Sequence, residues 1–284
     1  MTRFSKASPQ SGKSDIGENI LAAPESFVPA QSCRAEPLLA GLEPLFVGQL
    51  AKFRNVFVLK DDPREAIAGS DFLSAQTLTE LMVKFRPQFA AADQRGLASI
   101  WANQYFNRLF PAVISAVLLL DRRVPLRIEK MSMIVNSQGL VEAFKLPAGC
   151  EPLAPSDNPF ARFAHLLEDH LQPFIEALRE ATGVPAKVLW SNAGNYFEAW
   201  LGQLRERTQE AHLLSDGERL LSCSLRPDGS RNPLYAPVRY LEVKQADGLA
   251  RQWRQRRMCC IRYLLPEVSL CPNCPRLKQP VESE

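Results

Sequence analysis

From Ser74 to Phe89, and again from Leu97 to Leu120, apolar residues recur at the spacing of a helix face, so two helices are expected ahead of the basic pair Arg122 and Arg123. The period then shortens. The segments LRIEKMSMIV (Leu126 to Val135) and LVEAFKL (Leu140 to Leu146) read as two strands around the turn NSQG, with Asn136 and Gly139 supplying the turn chemistry. Alternation changes phase near Lys130, where a bulge would restore it. A long helical pattern follows: Asn158 and Pro159 form a cap and first-turn signal, and Phe160, Phe163, Leu167, Leu171, Phe174 and Leu178 mark one buried face. Gly183 ends it, and Pro173, which lacks the amide needed four residues back, should kink or divide it. Another helix starts at Pro185, with Leu189, Tyr196, Phe197, Trp200, Leu201 and Leu204 at compatible spacing. The turn RPDGS, Arg226 to Ser230, then separates two short strand-like pieces.

Helices, strands, helices, strands, without regular alternation, argue for an α+β fold: a mostly helical domain with a small antiparallel sheet, followed by a short C-terminal segment that holds a cluster of cysteines. Residues 1–36 are polar and rich in Ser, Pro and Gly and read as a flexible tail; residues 37–245 form the α+β domain and 246–284 the cysteine segment. Ordinary globular composition, 46% hydrophobic and 23% charged over 284 residues, gives a core that needs no covalent staples. The longest apolar stretch, Ala112 to Leu120, is too short to span a bilayer, and no leader pattern opens the chain, so the cytoplasm is the expected compartment. A net charge of +3 is too small an excess to argue for nucleic acid.

In a reducing compartment, clustered cysteines read as metal ligands or redox groups rather than disulfides. Four of the seven lie in the last tenth of the chain as C-C-x10-C-x2-C: Cys259, Cys260, Cys271 and Cys274. Cys33, Cys150 and Cys223 are scattered and read as small buried or inert residues. Four thiolates complete either a 2Fe-2S centre or a tetrahedral zinc site. Cys271 and Cys274 form the knuckle that zinc sites favour, but adjacent Cys259 and Cys260 can reach one centre only where the backbone bends sharply, which a larger two-iron cluster tolerates better. Five arginines, Arg251, Arg254, Arg256, Arg257 and Arg262, crowd around the first pair with Trp253 among them. They read either as a solvated helix face or as guanidinium groups offsetting a negatively charged cluster and docking an acidic electron donor.

Other chemistry has little to stand on. No GxGxxG, GxxxxGK[ST], GxSxG or HExxH occurs, so nucleotide, acyl-transfer and zinc-protease readings lack a motif. His165 and Asp169 share a helix face, as solvated residues one turn apart commonly do. His212 stands alone.

The pattern C-C-x10-C-x2-C, with its surroundings RRMCCIRYLLP and LCPNCP, resembles the carboxyl-terminal 2Fe-2S motif of the FhuF-type ferric siderophore reductases. The segments DHLQPFIEAL (Asp169 to Leu178) and VLWSNAGN (Val188 to Asn195) look like parts of the same family, and the likeness covers the region from Arg108 onward. The resemblance implies a 2Fe-2S cluster ligated by Cys259, Cys260, Cys271 and Cys274, two per iron, and a ferric siderophore, of hydroxamate type, as substrate. One electron would convert Fe(III) to the Fe(II) that hard oxygen ligands hold less tightly, without a catalytic nucleophile or base. It also implies that the upstream domain is a siderophore-binding module, with His170, Trp190, Asn192 and Asn195 lining the dock and Trp253 bordering the cluster. The electron donor would be a separate ferredoxin or flavin reductase, and the protein would work in the cytoplasm, at the periphery of the inner membrane beside an importer. The competing readings are a structural zinc-binding interaction module and an iron-sulfur electron carrier serving another protein.

Overall fold

The computed structural model describes residues 41–244 and 250–278; the expected tail lies outside the described residues. The described residues fall in one compact unit built around a single long helix. The fold is mostly helical α+β, in element order β1 (Phe57–Leu59), β2 (Ile67–Ala68), α1 (Gly69–Phe72), α2 (Ala75–Phe85), α3 (Gln94–Leu120), β3 (Arg122–Arg123), β4 (Ser132–Val135) and β5 (Val141–Leu146). Then follow β6 (Glu151–Pro152), α4 (Pro159–Leu166), α5 (Gln172–Thr182), α6 (Ala186–Arg205), α7 (Ser215–Ser222), β7 (Val238–Lys244) and β8 (Ala250–Arg256).

Helix α3 is the axis of the fold. Its 27 residues, about 40 Å of helix, are apolar almost all round, and a helix of that kind must be surrounded. Leu97, Trp101, Phe106, Phe110, Val113 and Val117 are sealed from solvent. Asp93 caps its start by accepting from the Arg95 amide, and Asp121 ends it in the left-handed region at φ 48°. The principal neighbour of α3 is α6. Aromatic rings fill the space between α1, α3 and α5: Tyr105 stacks on Phe174 with centroids 4.1 Å apart, and Phe72 lies against Trp101, Tyr105 and Phe174.

Both helices expected at the start are present, the first ending at Phe85 before a short 3-10 turn at Pro87–Phe89. The strand expected from Leu126 starts at Ser132 instead. Residues Ile128–Lys130 form a 3-10 turn, which accounts for the change of phase at Lys130, and the register irregularity falls at Ile134/Val135. The sheet has four strands in the order β1-β5-β4-β2, antiparallel except for the parallel pair β1 and β5. Sequence alternation missed β1 because it is only three residues long. The NSQG turn packs tightly on α2. Gly139, at φ 72°, sits where an added Cβ would lie 2.2 Å from the Leu81 carbonyl oxygen, and its own carbonyl accepts from Trp101 Nε1 at 2.9 Å.

The long helical pattern after Asn158 is divided, as Pro173 requires, by a single π turn over Leu167–Leu171 placed just before the proline. Around RPDGS only one isolated bridge, Leu225 to Arg231, forms in place of two strands. Three of the five clustered arginines, Arg251, Arg254 and Arg256, lie on a strand and not on a helix face: β7 and β8 pair antiparallel over seven positions, from Val238 opposite Arg256 to Lys244 opposite Ala250. The expected boundary at 245/246 falls on undescribed residues between these two strands. Among the described residues, no helix is long and apolar enough to cross a membrane.

Candidate metal centre

Strand β8 delivers the chain to the first cysteine pair. Immediately after Cys260, Ile261 adopts the left-handed region at φ 57°, a genuine outlier for a β-branched residue, and a 3-10 turn over Arg262–Leu264 completes the reversal. This is the sharp bend that adjacent cysteines need if both are to face one centre. The turn is pressed against the start of α3. An added Cβ on Gly96 would lie 3.1 to 3.3 Å from Leu264 and Leu265, so glycine there lets the segment approach. A second turn, in which the Cys274 amide bonds to the Cys271 carbonyl at 2.9 Å, brings the last two cysteines back.

The four sulfurs form two close pairs. Cys259 Sγ lies 3.9 Å from Cys274 Sγ, and Cys260 Sγ lies 3.9 Å from Cys271 Sγ. None is in a disulfide, and Cys259 also accepts from the Ile261 amide at 3.4 Å. Among the described residues the thiols stand as two pairs rather than as a group of three or more that could hold one ion. Two thiolates on one tetrahedral metal, each about 2.3 Å from it, would be about 3.8 Å apart. Cys260 and Cys274 are buried, while Cys259 and Cys271 are half-buried, so each pair has an inner and an outer sulfur. Hydrogen bonds from Cys259 and then Cys271 pull the Cys260 thiol far down, and the nearby Arg256 charge adds to this; Cys259 and Cys271 are pushed up in return.

Buried polar side chains hold the cysteine loops to the helical domain. On α3, the Ser99 hydroxyl donates to the Cys260 carbonyl and accepts from Asn192 Nδ2 at 2.9 Å. Asn192, fully buried on α6, accepts from Arg256 Nη2 through its own oxygen. One turn on, Asn195 Oδ1 accepts from Arg254 Nη1 and from Asn273 Nδ2, both at 3.1 Å, and Asn273 lies between the last two cysteines. Gln255 Nε2 donates to the carbonyls of Cys274 at 3.3 Å and Leu277 at 3.1 Å, and the Arg256 amide donates to the Asn273 carbonyl at 2.8 Å. Arg254 is further paired with Glu198 at 2.5 Å.

Asn192 and Asn195, expected to line a dock, thus have their amides turned to the cysteine segment. Trp190 and Trp253 are buried. His170 is fully buried in the π turn, one ring nitrogen against Tyr105 Oη at 2.7 Å and the other against the Leu126 carbonyl at 2.8 Å. Burial lowers it to about 4. Its neighbour Asp169 borders a cavity of about 330 Å³ that is also lined by Arg123, Leu126, Arg127 and Lys130. His165 and Asp169 do not act together: His165 is buried with an unpartnered Nε2, and Asp169 pairs with Arg127 at 3.3 Å. Ser99, Gln255 and Asn273 carried no sequence signal, because their importance comes from contacts that only the fold makes, and Arg256 stood out only as one of five clustered arginines.

A helical domain that commits buried amides, a hydroxyl and an arginine to the backbone of four paired thiols is the scaffold of a cysteine-held metal centre. Residues 99–248 match the family described as Ferric iron reductase FhuF-like transporter, and residues 256–276 match the FhuF 2Fe-2S C-terminal domain. The chain belongs to the FhuF family, and its cofactor is a 2Fe-2S cluster. It is 29% identical over 227 residues, 77% of this chain and 83% of the relative, to the ferric siderophore reductase of Escherichia coli (strain K12).

Proposed function

We propose that this protein is a ferric siderophore reductase that passes one electron to a hydroxamate-type Fe(III) chelate and so releases Fe(II) on the cytoplasmic side of the inner membrane. The observation that carries this reading is the pairing of four thiols at 3.9 Å within the segment that matches the 2Fe-2S domain. The name of the E. coli relative supports the substrate class. Cys259 with Cys274, and Cys260 with Cys271, would each hold one iron. When bound, the cluster supplies single electrons at a potential set by its surroundings.

The chain's own residues supply the rest. Ser99, Asn192, Asn195 and Gln255 fix the carbonyls and turns that carry the cysteines. Burial of Cys260 and Cys274 shields the inner sulfurs from water, while the half-buried Cys259 and Cys271 give an outer edge at which donor and acceptor can approach. The reaction balances without proton transfer: one electron enters from a separate ferredoxin or flavin reductase, and one leaves to the chelate. Fe(II) is then held less tightly by hard oxygen ligands.

The test is the visible spectrum of chemically reduced, anaerobic protein during addition of one equivalent of a ferric hydroxamate with a ferrous trap present. Recovery of the oxidised absorption, matched by trapped Fe(II), is expected. A coloured protein that does not reoxidise would leave an electron carrier for another protein, and a colourless one would make the cysteines a zinc site.

A further inference from the structure

Arg256 is 3% exposed, yet it has no acidic partner. Among the described residues no carboxylate pairs with it, its Nε has no hydrogen-bond partner, and its one side-chain bond goes to the neutral Asn192 oxygen. Buried charges are costly unless paired, so a bare internal guanidinium calls for a countercharge. Its surroundings belong to the cysteine segment: its amide donates to the Asn273 carbonyl at 2.8 Å, between Cys271 and Cys274, and its partner Asn192 bonds the Ser99 hydroxyl that donates to the Cys260 carbonyl, so thiolates holding a metal there supply the negative charge beside it. Its neighbours in the run differ: Arg254 is paired with Glu198, Arg251 and Arg257 are exposed, and Arg262 is half-buried.

Resting on the 2Fe-2S reading above, we propose that Arg256 is the internal countercation of the metal centre and sets its reduction equilibrium. Asn192, held by Ser99, fixes where that charge sits. Four thiolates give the centre net negative charge, and reduction adds another, so a fixed positive charge nearby stabilises the reduced form more than the oxidised one. Low surrounding polarity strengthens the effect, which an exposed arginine would lose to screening. Arg256 is a positioning and charge-setting residue, with no direct contact to substrate required.

Spectroelectrochemical titration of the cluster-loaded protein, with no siderophore present, tests this. Arg256→Met is expected to lower the reduction equilibrium constant at least ten-fold, equivalent to 59 mV for one electron. Arg256→Lys, which keeps the charge, should stay within about three-fold of the parent. Asn192→Asp sets a carboxylate against the guanidinium and should lower the constant as Arg256→Met does, and it decides the matter alone if the methionine variant fails to retain its cluster. Parent-like equilibria in both charge-cancelling variants would overturn the proposal. A parent protein without an iron-sulfur spectrum would overturn it together with the cofactor reading, whereas failure to reduce a chelate would leave this measurement standing.

Discussion

Replacing Asn192 with Leu keeps the volume close to the original but removes both ends of a fully buried bridge. The amide nitrogen's bond to Ser99 Oγ, at 2.9 Å, is a neutral hydrogen bond worth about 0.5–1.5 kcal/mol. The bond from Arg256 is charge-assisted, worth about 1.5–3 kcal/mol, and its loss leaves a buried guanidinium with no side-chain partner. Together these give a destabilisation of about 2–4.5 kcal/mol, a large share of the roughly 5–15 kcal/mol that holds a domain folded. For a unit of this size, at about 2–4 °C per kcal/mol, that lowers Tm by about 4–18 °C. Asn195→Leu is the internal control. It also breaks two bonds, but Arg254 keeps Glu198 and the Asn195 carbonyl, so no charge is stranded and about 1–2 kcal/mol is expected. Thermal unfolding by circular dichroism, on metal-free and cluster-loaded samples, measures both. An Asn192→Leu protein melting within about 2 °C of the parent, or less affected than Asn195→Leu, would refute the view that α6 clamps the segment through a buried charge.

Cys271→Ser should abolish the visible iron-sulfur absorption while leaving the far-ultraviolet dichroism near that of the parent, and an unchanged visible spectrum would remove the sulfur from the ligand set. Gly96→Ala should be nearly neutral, since gained helix propensity of about 1 kcal/mol offsets a Cβ pressed on flexible leucines, whereas Gly96→Val should cost about 1–3 kcal/mol and speed cluster loss to a chelator. His170 is neutral when folded because burial lowers it from 6.5 to about 4, while the unfolded chain takes up the proton. Its share of stability is therefore intact above pH 6.5, falls by up to about 1.4 kcal/mol per unit as pH drops toward 4, and is constant below. Denaturant titrations from pH 7 to 4.5 should show a shallower decline in His170→Gln than in the parent.

The cysteine spacing was legible because it is local: C-C-x10-C-x2-C needs no knowledge of the fold. So were α3 and the helix ahead of it, whose periodicity is sustained over many residues. The division near Pro173 followed from one missing amide, although periodicity gave no reason to expect a π turn. Less could be read where long-range contact decides. Nothing in the run of arginines distinguishes Arg256 from its neighbours until β8 turns it toward α6. The left-handed Ile261 runs against its own intrinsic preference, so the bend could be required by the cysteines but not assigned to a residue. Asn192 and Asn195 attracted notice through resemblance alone, and their partners lie more than fifty positions away along the chain.

Each sulfur pair draws one member from the bend just past β8 and one from the terminal knuckle, in a nested arrangement: Cys259 with Cys274, and Cys260 with Cys271 inside it. Neither loop alone owns half a site. Peeling away the last stretch of chain would open both pairs at a stroke, so iron retention should be all-or-none and linked to the seating of that stretch on Gln255 and Asn195. The cluster would then be a buckle as well as an electron store, added to the polar contacts that already seat the cysteine segment.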